Sequence, residues 1–91
     1  MSRPHVSAQA VHAALQAALA PLSLVVHDDS ADHAGHAGAR EGSHLRVEIT
    51  CQRFSGLSRV ARHRLVYDAL RSLMPQGIHA LAIQARSPGE P

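Results

Sequence analysis

The sequence predicts a small two-layer α+β domain, with three strands backed by two helices in the order helix, strand, strand, helix, strand. Three observations lead there. Val11, Ala14, Leu15, Ala18 and Leu19 recur at helical spacing and make one apolar stripe. Leu45, Val47, Ile49 and Cys51 alternate with Arg46, Glu48 and Thr50, as in a strand with one buried face. The stretch from Phe54 to Ile83 holds a long amphipathic helix, a stop at Pro75-Gln76-Gly77 and a closing strand. A chain of 91 residues is one domain. That size buries only about 60% of the unfolded surface, which leaves a thin core and no room for a deep catalytic cleft.

In chain order, residues 1–6 read as a frayed lead-in. Ser7 is a serviceable N-cap for the first helix, which Pro21 ends. Leu22–Asp28 alternates as a strand, with Leu22, Leu24 and Val26 on one face and Ser23, Val25 and His27 on the other. Residues 29–43 break every periodicity with three glycines, acids and two histidines. A loop of that length is functional or disordered as a rule. The strand ending at Cys51 points its thiol into the core, where cysteine behaves as a small hydrophobe.

Gly56 lets the backbone turn, and Ser58 caps a helix expected to run to about Met74. Val66, Leu70, Leu73 and Met74 form its buried arc, with Ala69 and Tyr67 at the edges. Arg64, Asp68 and Arg71 lie opposite, spaced for pairing along the helix. Ile78–Ala85 is the third strand, in which alternation sets His79 on one face with Leu81 and Ile83. Residues 86–91 are a tail without pattern.

Composition excludes several classes. A single cysteine forbids an internal disulfide and fits a reducing compartment. No run approaches the roughly 20 apolar residues of a membrane span, and the N-terminus lacks the pattern of a signal or transit peptide. A soluble cytoplasmic protein is expected. All nine basic residues are arginine, and seven acids leave a net charge of +2. That is too little for a dense nucleic-acid-binding field. The local basic cluster is Arg59, Arg62, Arg64 and Arg71, partly offset by Asp68.

Eight histidines are the oddity, since imidazoles ligate metals and titrate near neutrality. His33 and His36 stand in HAGH within the long loop, either as solvated side chains or as an H-x-x-H pair able to reach a metal. His79 sits at the helix-to-strand junction, either half-buried and bonded to backbone or a ligand. His63 falls in the apolar arc as a packed, hydrogen-bonded residue. His44 precedes the second strand and serves backbone groups of the loop. His12 is a solvated helix residue, and His5 and His27 carry no specific signal. No Ser/His/Asp arrangement, phosphate loop or carboxylate pair for catalysis emerges, so an enzyme is not expected.

From about Val11 to Ala85 the chain resembles the BolA-like proteins. The resemblance is carried by Asp28-Asp29-Ser30, Gly42-Ser43-His44, Phe54-x-Gly56-x-Ser58, Arg62-His63-Arg64, Tyr67 and His79-Ala80-Leu81. It implies a KH-like (class II) αββαβ domain over 7–86, between flexible ends at 1–6 and 87–91. It further implies a heterodimer with a monothiol glutaredoxin of the CGFS type, the pair sharing a 2Fe-2S cluster with glutathione as a further ligand. This family's contribution would be His79 and a loop histidine, which counting from Asp28-Asp29-Ser30 puts at His33, with His36 in reserve. Neither a cofactor for folding, nor a membrane, nor a small-molecule substrate is implied. The alternative is a DNA-binding regulator using Arg59, Arg62, Arg64 and Arg71. The chain lacks a GxxG loop, and those arginines are spread around their helix.

Overall fold

The computed structural model describes residues 6–29 and 43–90. The elements are α1 (Ala8–Leu19), β1 (Ser23–Asp28), β2 (Ser43–Thr50), α2 (Arg59–Ala69) and β3 (Ile78–Arg86). One-turn 3-10 helices at Gln52–Phe54 and Met74–Gln76 precede α2 and β3. This is the expected order. β2 is the central strand, antiparallel to β1 and parallel to β3. The helices pack on one another and on the sheet, α1 against β1 and α2 against β3.

The core forms where the predicted stripes meet. Val11, Leu15 and Leu19 of α1 are buried against Leu45, Val47 and Ile49 of β2, with Phe54, Val66 and Leu70 completing the layer. Cys51 is buried as expected, and its thiol donates to Leu19 O at 3.3 Å. Burial of both apolar faces holds the layers together at roughly 25 cal/mol per Å² removed from water. The opposite face of the sheet is open, with Arg46, Ala80, Ala82 and Gln84 exposed. Leu22, expected within the first strand on one face with Leu24 and Val26, lies before β1 and is 65% exposed.

Both serine caps form. Ser7 Oγ accepts from Ala10 N at 3.0 Å and Ser58 Oγ from Ala61 N at 3.1 Å. Val6, grouped by its sequence with the frayed lead-in, is buried and its carbonyl accepts from Ser43 Oγ at 2.6 Å. The second helix stops at Ala69, short of the expected Met74. Pro75 explains this, because its ring would clash with the carbonyl of Arg71 and it biases Met74 away from helix. The chain tightens instead into turns, in which Leu73 N donates to Leu70 O and Gln76 N to Leu73 O. Tyr67 is left 41% exposed.

Strand alternation fails at one place. Ser43 pairs with Ile78 and His44 with Ala80, so β3 carries one more residue than β2 between these pairs. The extra residue is His79. Ile78 is buried and Leu81 packs on the core, although three positions separate them. A β-bulge at His79 reconciles the two.

Candidate functional site

The site builds up from the start of β3. Gly77 has φ 143°, a conformation that suits glycine, and its carbonyl accepts from Ser43 N at 2.6 Å. Ser43 closes the C-terminal end of the long β1–β2 loop. At the other end Asp29 N donates to His44 O at 2.8 Å. Both ends of the loop therefore meet at the first residues of β2, one strand spacing (about 4.8 Å) from the bulge at His79. His33 and His36 themselves lie outside the described residues.

Periodicity did not single out His44 as a neighbour of His79. It is the second residue of β2, half-buried, and its Cα partner is Ala80. The Ser43-His44/Ile78-Ala80 register creates this proximity, and register between strands 35 residues apart leaves no local signal. An open hollow of about 280 Å³ beside it is walled by Asp29, His44 and Ala80–Ala82. Next along the exposed face, Arg46 Nε donates to Asp29 Oδ2 at 3.1 Å, and His27 Nε2 lies 2.6 Å from Glu48 Oε2. His27 is thereby tied to a carboxylate, a role its sequence context did not suggest. Among the described residues no three His, Cys, Asp or Glu side chains gather as a metal site.

The arginines of the second helix and of the turn after it part ways. Arg64 is exposed, and Arg71 is exposed with Nη2 3.9 Å from Asp68 Oδ1. Arg62 turns back into the fold. Its Nε donates to Leu57 O at 3.0 Å, Nη1 to Ala85 O at 3.2 Å, and Nη1 and Nη2 fork onto the Glu90 carboxylate at 2.8 and 2.6 Å. Ser87 Oγ also donates to Glu90 Oε1. Hydrogen bonding to Arg62 and then to Ser87 holds the Glu90 carboxyl down at about 2, and the carboxylate in turn raises Arg62. Arg59 and His63 line the hollow beside this pair. His63 is half-buried there and has no hydrogen-bond partner among the described residues, contrary to the packed, bonded residue expected. No described helix is long and apolar enough to cross a membrane.

Comparison with known proteins gives a consistent picture. A family model described as BolA-like protein matches residues 15–90. Protein BOLA1, chloroplastic, from Arabidopsis thaliana is 44% identical over 80 residues, covering 84% of this chain and 50% of the relative. BolA-like protein 1 of Mus musculus is 42% identical over 81 residues, covering 89% of this chain and 58% of the relative. The chain thus spans little more than half the length of these two relatives. The solved structure of BolA1 from Arabidopsis thaliana superposes with a TM-score of 0.80 at 39% identity, covering 94% of this chain and 96% of that one.

Proposed function

This chain belongs to the BolA-like family, and from that premise we propose that it is an iron–sulfur cluster assembly, trafficking or iron-regulation factor. In this reading it binds a monothiol CGFS glutaredoxin and shares a 2Fe-2S cluster with it, glutathione completing the ligands. His79 and one imidazole from the β1–β2 loop are this chain's share. One observation carries the reading: the bond from Ser43 N to Gly77 O, which ties the loop's end to the turn two residues before His79.

Covalent reach supports it. His33 follows Asp29 by four residues, so its Cα lies within about 14 Å of Asp29 at roughly 3.5 Å per residue. β3 is two strand spacings, about 10 Å, from β1. His36 is seven residues from either loop end and reaches about 25 Å. Both are therefore candidates to meet His79.

The donor set fits a shared cluster and not a private one. Cys51 is buried and engaged with Leu19 O, so no thiolate is on offer from this chain. Two neutral imidazoles leave the remaining positions to a partner. Imidazole in place of thiolate raises a cluster's potential and makes ligation depend on pH. The role is ligand sharing and not catalysis, in a cytoplasmic setting.

The test is a titration with cluster-loaded monothiol glutaredoxin, followed by visible absorption and circular dichroism. Wild type should change the spectrum, and His79→Ala should abolish the change. Of His33→Ala and His36→Ala, one should weaken it and so identify the loop ligand. Wild-type spectra from all three variants would remove the assignment. Nucleic-acid binding through Arg59, Arg62, Arg64 and Arg71 takes second place, because the four do not form one surface. Arg62 turns back onto Leu57 O and Ala85 O, while Arg64 and Arg71 are exposed and Arg71 stands beside Asp68.

A further inference from the structure

At the far end of β3 from His79 lies a hollow of about 650 Å³. It is walled by Arg59, Arg62 and His63 from α2, by Ile83 and Arg86 from β3, and by Glu90. Six residues of strand separate His79 from Ala85, about 20 Å, so this hollow is distinct from the candidate cluster site. Its charges do not balance. Three guanidiniums face one carboxylate, and Arg59 and Arg86 have no acidic partner among the described residues.

Arg62 is prepared for an anion in a way a surface arginine is not. Its side chain is only 13% exposed, and its bonds to Leu57 O and Ala85 O fix the plane of the guanidinium. The fork that remains points at two oxygens of one anion. Glu90 supplies them from a four-residue turn, Ser87–Glu90, which is closed by Glu90 N donating to Ser87 O. The turn includes Gly89 at φ 86°. Glu90 itself is exposed. A single carboxylate fills the fork and leaves two positive charges of the rim unanswered.

We propose that this hollow is a binding site for a phosphate-bearing anion, with Glu90 as its built-in, displaceable occupant. A phosphate offers the same two oxygens to Arg62, and its additional oxygen and charge answer Arg59 and Arg86. A single carboxylate would only reproduce Glu90's contacts and leave the rim unbalanced. One phosphate group brings the further oxygen and charge at the same point, which is why phosphate is favoured. None of the residues assigned to this site is a candidate cluster ligand, so the site stands or falls independently of cluster sharing.

The test is an amide NMR titration of the full chain at constant ionic strength, with inorganic pyrophosphate and a nucleoside diphosphate as separate probes. Saturable shifts should be confined to Leu57–His63 and Ile83–Glu90, and the His44–Ala80 end should stay still. Glu90→Gln keeps Arg62 in place and removes the competing charge, so it should tighten binding about fivefold. Arg59→Ala and Arg86→Ala should each weaken binding by a similar factor. Equal affinity for the two probes assigns recognition to phosphate alone, and tighter binding of the nucleotide adds contacts from the base or sugar. The proposal is overturned if neither probe gives saturable shifts with wild type or Glu90→Gln. Binding indifferent to both arginine variants overturns it as well, as does equal binding of a tri-glutamate peptide.

Discussion

At the C-terminal end of β3, Arg62 and Glu90 hold one another in a fixed geometry, while Arg59 and Arg86 beside them have no acidic partner among the described residues. Arg62 bonds two backbone carbonyls and a carboxylate, and Ser87 bonds that carboxylate again. At the N-terminal end the ladder is interrupted by the bulge at His79, and the ends of a histidine-bearing loop are tied in beside it. Both ends rest on the same buried layer, so the difference is not one of scaffold. One ion pair, backed by bonds to two carbonyls and a hydroxyl, fixes the local structure. A bulge re-aims the chain where a sheet meets a ligand or a partner. The contrast shows how a thin core can support two surface sites of different character.

The comparison breaks first if the shared layer is removed. Phe54 is fully buried in the turn between β2 and α2. Phe54→Ala should cost about 3–5 kcal/mol, and urea denaturation should show both ends lost in one transition. Loss of one end only would make them separate units. Ser43→Ala acts at the His79 end. It leaves the carbonyl of Val6 without its buried donor and should cost about 1–3 kcal/mol. Hydrogen exchange should then speed up at the start of β2 more than around Arg62.

Acid acts at the opposite end. The Glu90 carboxyl is held at about 2 against an ordinary 4.5, so the stability it contributes is present above pH 4.5. It is lost as pH falls from there toward 2. Wild type should lose stability through that window, and Glu90→Gln should lose less, as read from thermal midpoints against pH. Identical profiles would mean that Glu90 is not held by Arg62 in solution. The smallest effect is expected from His79→Ala, within about 0.5 kcal/mol of wild type in urea, although it should abolish the spectral change with glutaredoxin. A large destabilisation would make His79 part of the core instead.

Much of this architecture was legible from residue types at short spacing. The apolar stripe of α1, the alternation of β2, the burial of Cys51 and the caps at Ser7 and Ser58 all depend on neighbours within a turn or a strand, and all appear as expected. The early end of α2 was partly legible, since Pro75 was visible and the extent of its effect on the preceding turn was not. His33 and His36 lie outside the described residues, so their part in the site rests on chain reach.

The remaining features join residues far apart in the chain. Arg62 and Glu90 are 28 residues apart, Ser43 and Val6 are 37 apart, and the bulge at His79 exists only relative to the register of β2. Periodicity reports the face a residue occupies within its own element. It carries no information on which element lies opposite, or in what register, because that is settled when the two layers close on their common core. For this chain, local pattern dictated the helices, the strands and their buried faces. Packing of those faces then chose Glu90 as Arg62's partner and set the ends of the β1–β2 loop beside His79.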